Sequence, residues 1–293
     1  MLTQMLLSML VVMTPGFDAG KQKGYPNGKV LVEAEELKRL VAKVKQEPVL
    51  HVLDARSKKA YQKDHVQGAR WADVKGLSKL SLQWHDESRI QPLFSYPKKS
   101  RIVVYDDGSI ASAARLWWLL RYMGFTNVQL LNGGYPAYTK AGGKTNDASI
   151  LESTFSGEQA LDRQVLATKK DVLGVLKTKK AQIIDSRSEG EFCGTVKKAK
   201  RSGSIPGAIN LDWVELLEKK TKKFKSPSEL SQLFQKAGID LKKPLITHCQ
   251  SGGRASVMMF ALELMGAKQV KNYYRGWSEW GNEEDTPVVR PKR

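Results

Sequence analysis

The stretch ITHCQSGGRAS, residues 246–256, contains one of the two cysteines in a chain of 293 residues, and it decides the fold. Apolar residues before Cys249 indicate the end of a buried strand, and the apolar periodicity of residues 255–265 predicts an amphipathic helix. Cys249 is therefore expected in a loop between a strand and a helix. The small residues after it allow successive backbone N–H groups to turn inward, which makes an anion-binding concavity at the N-terminus of the helix.

The two halves of the chain repeat one another in the same order. A repeat of this length indicates a duplicated domain and argues against a solenoid of short repeats. The matching segments are HVLDAR (51–56) and QIIDSR (182–187), DHVQGA (64–69) and GSIPGA (203–208), and MGFTNVQLLNGGYPAY (123–138) and MGAKQVKNYYRGWSEW (265–280).

Each half begins with an amphipathic helix and continues with short apolar strands, and Thr168 and Asp171 predict a capping box at the start of the second of these helices. The alternation predicts an α/β fold of two tandem domains, each a mainly parallel sheet flanked by helices. Ligands of such sheets bind beyond the carboxyl ends of the strands, where Cys249 is expected. The predicted units are a leader (1–24), an N-terminal domain (25–145), a linker (146–160) and a C-terminal domain (161–293).

The composition favours a globular protein, whose positive charge could serve a nucleic-acid partner, a membrane partner or small anionic substrates. The chain has 48 basic and 30 acidic residues, a formal net charge of +18, and its lysine pairs are scattered without interleaved aromatic residues. This pattern is typical of a solvated surface, and no nucleic-acid partner is expected. Two cysteines and four dispersed histidines supply neither a disulfide framework nor a zinc pattern, so that no metal is predicted.

The N-terminus contains an apolar run, MLLSMLVVM at residues 5–13. It is too short to span a bilayer, but it has the length of a signal-peptide core, although no Lys or Arg precedes it. An exported or periplasmic protein is therefore expected, with a cytoplasmic protein as the alternative.

Taken together, the motifs resemble those of tandem-domain rhodaneses, sulfurtransferases of the thiosulfate and 3-mercaptopyruvate class. The resemblance covers nearly the whole chain after the leader and implies that the C-terminal domain carries the nucleophile, Cys249, while the N-terminal domain is an inactive copy. The offset between the repeats places Asp107 opposite Cys249, and a carboxylate cannot form a persulfide. The residues that carry the resemblance are 54–56, 185–187, 203–208, 249–254 and 276–281.

The loop and the resemblance together predict sulfur transfer through a cysteine persulfide. A helix N-terminus, converging amides and a nearby arginine all lower the pKa of a thiol, so that Cys249 is expected to attack the outer sulfur of the donor. The sulfur then passes to cyanide or to a thiol in a second step. No organic cofactor is expected, because the protein itself carries the transferred sulfur. Arg187 and Arg254 are expected to bind the donor anion, because a guanidinium binds two oxygens at once. The loop residues expected to hold the transferred sulfur are Gln250, Ser251, Gly252 and Gly253.

Several of these side chains also have structural interpretations. Arg187 could form an ion pair with Asp185 or Glu189 that only locks a turn, and Arg254 could be an exposed residue of the first helical turn. For three other residues near the motifs we expect no catalytic role. Cys193 is expected to have a packing role, and His248 is expected to point away from the crevice. Arg275 is expected either to add positive charge near the site or to face solvent.

Rival functions share the same loop. Protein phosphatases also use a cysteine loop that ends in arginine, but theirs is longer, whereas only four residues separate Cys249 from Arg254. A persulfide carrier that delivers sulfur to a partner protein would need the same cysteine but little turnover with small acceptors. Among donors, the late arginine and the positive chain favour the dianion thiosulfate over 3-mercaptopyruvate.

Overall fold

The computed structural model describes residues 24–43, 50–81, 96, 100–146 and 161–292. The predicted leader lies outside these residues except for Gly24, and the predicted linker lies outside them except for Asn146. Both assignments therefore stay predictions. Within the described residues, no helix has both the length and the apolar character needed to cross a bilayer.

The first half folds around a parallel five-stranded sheet. Its strands are β1 (Leu31–Val32), β2 (Leu50–Asp54), β4 (Arg70–Trp71), β5 (Arg101–Tyr105) and β6 (Val128–Leu131), and a small antiparallel pair is formed by β3 (His65–Val66) and β7 (Thr145–Asn146). The large sheet has the order β1-β6-β5-β2-β4. The helices of this half are α1 (Ala34–Ala42), α2 (Lys58–Lys63), α3 (Val74–Ser81), α4 (Ala111–Tyr122) and α5 (Gly134–Lys140).

The second half repeats this architecture with a four-stranded parallel sheet. Its strands are β8 (Gln182–Asp185), β9 (Ile209–Asn210), β10 (Leu245–His248) and β11 (Val270–Tyr273), in the order β11-β10-β8-β9. The helices are α6 (Lys169–Thr178), α7 (Glu189–Cys193), α8 (Pro227–Ala237), α9 (Gly253–Leu264) and α10 (Gly276–Trp280). The predicted α/β fold with two tandem, mainly parallel domains is confirmed.

Local sequence explains where the helices of the second half begin. The predicted capping box of Thr168 and Asp171 is present at α6, and Ser188 with Glu191 forms another at α7. In each box the hydroxyl accepts from the third helical amide and the carboxylate accepts from the cap amide, so that two otherwise unpaired donors are satisfied. Strand β10 is buried along its whole length because helices cover both faces of a parallel sheet.

The two halves meet through α4 and α9, which pack on each other in one shared hydrophobic core. Trp117 contacts Phe260 edge to face with ring centroids 5.1 Å apart, and Trp118 stacks on Tyr274 at 4.4 Å. The indole N–H of Trp118 donates to the carbonyl of Val165 at 3.1 Å. Because α4 and α9 each follow the central strand of their own sheet, this packing fixes the two preceding loops relative to each other.

The shared core predicts a large effect of truncation at Phe260. This ring is fully buried against Trp117 and Phe224, so Phe260→Ala leaves a cavity between the two halves and should lower the free energy of unfolding by about 3–5 kcal/mol. Urea unfolding followed by tryptophan fluorescence measures the change. Val214→Ala is the control, because Val214 is 47% exposed, and its effect should stay within about 0.5 kcal/mol. Equal effects of the two substitutions would contradict the prediction.

Candidate active site

Cys249 is the first residue after β10, and its side chain is only 1% exposed. Residues 249–252 form the loop, and α9 begins at Gly253. Gly252 has φ +81, a left-handed conformation, and a Cβ at this position would overlap the ring of Tyr274. Only glycine meets both constraints, because its backbone reaches this region without strain and it carries no side chain.

The carbonyl groups of the loop are bound by the start of α10. The N–H of Trp277 donates to the carbonyl of Cys249 at 2.8 Å, and the N–H of Ser278 donates to the carbonyl of Gln250 at 2.9 Å. This close approach requires glycine at 276, where a Cβ would overlap the Cys249 carbonyl. The backbone amides of residues 250–254 donate no hydrogen bond to any protein group within the described parts of the chain. The loop therefore has backbone donors available to an anion next to the cysteine.

The corresponding loop of the first half is filled by its own carboxylate. Asp106 follows β5 directly and is 1% exposed, and its carboxylate accepts from the amides of Gly108 (2.9 Å), Ile110 (3.0 Å), Ser112 (3.1 Å) and Ala113 (3.1 Å). The loop that follows the central strand of the first half thus binds a carboxylate through backbone amides. In this half the carboxylate is the side chain of Asp106 itself.

The expectation that Asp107 stands opposite Cys249 is wrong by one residue. In the sheets, Asp54 pairs with Tyr105 as Asp185 pairs with His248, so that Asp106 is the residue equivalent to Cys249. The offset between the repeats holds for α4 and α9 but not for the strands before them. The reason is length, because the first loop has five residues (106–110) and the second has four (249–252).

Arg254 lies between a carboxylate and the cysteine. Its Nη1 and Nη2 atoms donate to the Oε2 and Oε1 atoms of Glu191 at 2.6 and 2.9 Å. Burial lowers the pKa of Arg254, but the hydrogen bonds to Glu191 and the interaction with Cys249 outweigh burial and raise that pKa above its usual value. For Glu191 burial acts in the opposite direction and raises the pKa, but the interactions with Arg254 and Ser188 outweigh burial and lower that pKa to about 2. The arginine therefore stays charged beside the thiol.

The side chain of Arg187 is buried in an ion pair, whereas a residue that binds the sulfur donor is expected to be open to the crevice. It is 1% exposed, and its guanidinium donates to both oxygens of Asp185 and to the carbonyl of Gly203 at 2.8 Å. Arg56 makes the same ion pair with Asp54 in the first half. Because the pair occurs in both halves, it belongs to the fold, and the structural interpretation of Arg187 matches the geometry.

The structure also shows where the other residues singled out from the sequence lie. The amide nitrogen of Gln250 donates to the carbonyl of Lys198 at 3.1 Å. His248 is fully buried, 3.5 Å from Asp185, and burial lowers its pKa to about 4. Cys193 ends α7, and Arg275 pairs with Glu279 at 3.2 Å. In the described ranges no group of three or more His, Cys, Asp or Glu side chains could hold a metal ion.

The sequence did not reveal Arg115, which the first half brings to the loop. This residue of α4 donates through Nη1 to the hydroxyls of Ser78 (3.1 Å) and Tyr274 (3.0 Å). Its guanidinium lies so close to Gly253 that a Cβ there would be 2.5 Å from Nη2. A second positive charge therefore stands at the N-terminus of α9. Arg115 is one of two arginines in an otherwise apolar helix, and this sequence signal does not indicate a partner.

Comparison with known proteins places this geometry in a family. The model of the rhodanese-like domain matches the chain twice, over residues 33–141 and 168–283. The chain belongs to the rhodanese family. The resemblance inferred from the motifs is thereby confirmed.

Curated relatives of this rhodanese are sulfurtransferases. It is 29% identical over 262 residues to the 3-mercaptopyruvate sulfurtransferase of Escherichia coli (strain K12), covering 83% of this chain and 92% of that protein. It is 30% identical over 273 residues to the thiosulfate sulfurtransferase of Rattus norvegicus, covering 86% and 92%. The protein is thus a sulfurtransferase of a family that includes both donor classes.

Solved structures share the fold. SseA from Escherichia coli, described as a 3-mercaptopyruvate sulfotransferase, superposes with a TM-score of 0.68 at 28% identity, covering 85% of this chain and 99% of that one. The anaerobic ergothioneine biosynthesis enzyme from Chlorobium limicola superposes with a TM-score of 0.77 at 22% identity, covering 95% and 74%. The second likeness concerns the fold alone.

The Glu191–Arg254 pair predicts a pH-dependent stability. The pKa of Glu191 is about 2 in the folded protein against an ordinary value of 4.5. Its contribution is therefore complete above the ordinary value and is lost as the pH falls toward the folded value. Glu191→Gln should lower the free energy of unfolding near neutral pH, and the difference from wild type should shrink as the pH falls below 4.5. Urea unfolding at a series of pH values measures it.

Glu215→Gln is the matched control, because it removes an exposed carboxylate of the same half. It should leave the free energy of unfolding nearly unchanged across the series. A Glu191→Gln difference that stayed constant from neutral pH down to acid would mean that the ion pair does not carry the stabilisation.

Proposed function

We propose that this sulfurtransferase moves a sulfane sulfur from thiosulfate to cyanide or a thiol through a persulfide on Cys249. The observation that supports it best is the contrast between the two loops. Where the first half has the buried carboxylate of Asp106 bound by backbone amides, the second half has the sulfur of Cys249 and amides that bind no protein group among the described residues. An anionic sulfur at Cys249 would take the place of that carboxylate.

The reaction has two displacement steps. The Cys249 thiolate attacks the outer sulfur of thiosulfate, a new S–S bond forms, the old S–S bond breaks, and sulfite leaves with the electron pair. The acceptor then attacks the outer sulfur of the persulfide, and the Cys249 thiolate is the leaving group. No oxidant or reductant is required, and the kinetics should be of the ping-pong type.

Three groups attract an anion to the loop. The N-terminus of α9 provides a positive dipole end, the amides of the loop provide hydrogen-bond donors, and Arg254 provides a fixed charge. Glu191 occupies one donor of each terminal nitrogen of Arg254, and a guanidinium has five donors in all. The other donors of Arg254 can bind the oxygens of the sulfur donor, and Arg115 adds a second positive charge at Gly253.

Thiosulfate is proposed as donor because Arg254, Arg115 and the N-terminus of α9 meet at the loop, and because the chain has a formal net charge of +18. The net positive charge favours a dianion over a monoanion such as 3-mercaptopyruvate. The second candidate donor is 3-mercaptopyruvate, because one curated relative is a 3-mercaptopyruvate sulfurtransferase. A persulfide carrier uses the same first step and differs only in its acceptor. A phosphatase is disfavoured by the short loop between Cys249 and Arg254.

Substitution of Cys249 tests the proposal directly. Cys249→Ser should abolish formation of thiocyanate from cyanide, because a hydroxyl cannot replace the thiolate as nucleophile and sulfur carrier. Mass spectrometry of wild type treated with thiosulfate should show the mass of one added sulfur on the peptide that contains Cys249. Cys193→Ser is the control and should retain activity. Activity that survives Cys249→Ser would refute the proposal, and a persulfide without turnover would favour the carrier.

Substitution of Arg254 tests how the donor is bound. Arg254→Gln should lower kcat/KM for thiosulfate by about 100-fold to 1000-fold, because it removes a preorganised charge beside the reacting sulfur. The loss should be smaller with 3-mercaptopyruvate, which carries less charge. Steady-state kinetics with both donors and cyanide measure the ratio. Arg39→Gln, at an exposed position of α1, is the control. Equal losses with the two donors would remove the argument for thiosulfate.

A further inference from the structure

A cavity of about 530 Å³ lies in the first half, beyond the carboxyl ends of β2 and β4. Helices α3 and α4 form its other sides. Trp71 and Val74 contribute apolar surface, and Ser57, Ser78 and Ser112 contribute hydroxyl groups. The volume is that of a site for a small molecule. It lies at the edge of the first sheet where the inactive copy would have had its own substrate site.

The charge of this cavity is positive. Its lining includes Lys58, Lys75 and Arg115, while Asp73 is its one acidic residue among those described. Asp73 accepts from the amide of Gly76 at 2.9 Å and so serves the first turn of α3. A fourth cation, Arg56, is held in the ion pair with Asp54. The other cations of the lining, Lys58, Lys75 and Arg115, outnumber Asp73, and this excess of positive charge favours an anionic ligand.

The cavity and the cysteine loop share Arg115. This side chain lines the cavity, and its guanidinium lies directly against Gly253 at the start of α9. A molecule bound in the cavity is therefore next to Arg115, the residue that borders the loop carrying Cys249. A second cavity, of about 580 Å³, is lined by Leu245 and Val270 at the amino ends of β10 and β11, so it lies at the sheet edge opposite Cys249.

We infer that the cavity of the first half binds the sulfur acceptor and selects small thiols that carry carboxylate groups. The inference rests on the proposed function and names its acceptor class. In the second step a thiolate must approach a persulfide that is itself negative, and cations along the approach reduce this repulsion. The thiolate attacks the outer sulfur, the S–S bond of the persulfide breaks, and the products are the Cys249 thiolate and the persulfide of the acceptor.

The experiment compares thiols of different charge. Mercaptosuccinate carries two carboxylates, 2-mercaptoethanol is neutral and cysteamine is positive. Each is used as acceptor with thiosulfate as donor, for wild type and for Lys75→Glu. Lys75 is exposed at the cavity, so the substitution reverses a charge without touching the core. Comparison of the two proteins with the same thiol cancels the intrinsic reactivity of that thiol.

The expected result is a change that follows the charge of the acceptor. Lys75→Glu should lower kcat/KM for mercaptosuccinate by about tenfold, change that for 2-mercaptoethanol by less than about twofold, and raise that for cysteamine. Lys63→Glu reverses an exposed charge at the end of α2 outside the cavity lining and should alter none of the three. Equal changes for all thiols, or the same pattern with Lys63→Glu, would overturn the inference.

A separate measurement distinguishes this inference from the proposed function. Mixing the protein with thiosulfate in the absence of acceptor should release a burst of sulfite equal to the concentration of Cys249, and Lys75→Glu should give the same burst. Absence of the burst in wild type would refute thiosulfate as donor. The cavity is then judged by calorimetric binding of mercaptosuccinate, which wild type and Lys63→Glu should bind and Lys75→Glu should bind more weakly. Equal binding by all three would overturn the inference.

Discussion

The packing of α4 against α9 is the contact on which the arrangement of the site depends. Trp117, Trp118, Phe260 and Tyr274 bury large apolar surfaces between the halves and leave no space for one helix to shift against the other. Both helices start at the loops that follow the central strands. The same contact therefore positions the cysteine loop and places Arg115 of the first half against it.

The two loops show how one local geometry serves two purposes. Each leaves the carboxyl end of a central strand, passes a left-handed residue and enters a helix. In the first half the amides of the turn bind the carboxylate of Asp106, which secures the structure. In the second half Cys249 occupies that position, and in the proposed function the amides support its reacting sulfur. Backbone donors bind oxygen anions and sulfur anions alike, so under this proposal a single residue decides between stability and chemistry.

Much of the fold could be predicted from the sequence. Apolar strands, the repeat and the small-residue loop are local patterns, and they identified the tandem α/β architecture and the place of Cys249. The alignment of Asp107 with Cys249 was wrong because an extra residue in a loop changes the register of a strand without changing that of the following helix. The sequence left open whether Arg187 and Arg254 bind the donor or form structural contacts. It could not decide, because the partner of each guanidinium depends on which carboxylate the fold brings next to it. Arg115 lay beyond sequence reasoning, since only packing between the halves brings it to Gly253.

The buried carboxylate of Asp106 also bears on the roles of the two halves. A loop that binds its own anion needs no ligand to hold its shape, so the first half keeps its fold without a substrate. Asp106 cannot carry a sulfur, and under the proposed function the two halves therefore do not compete for one. In that proposal the first half contributes a positively charged wall beside the cysteine loop, and such a wall can evolve separately from the nucleophile.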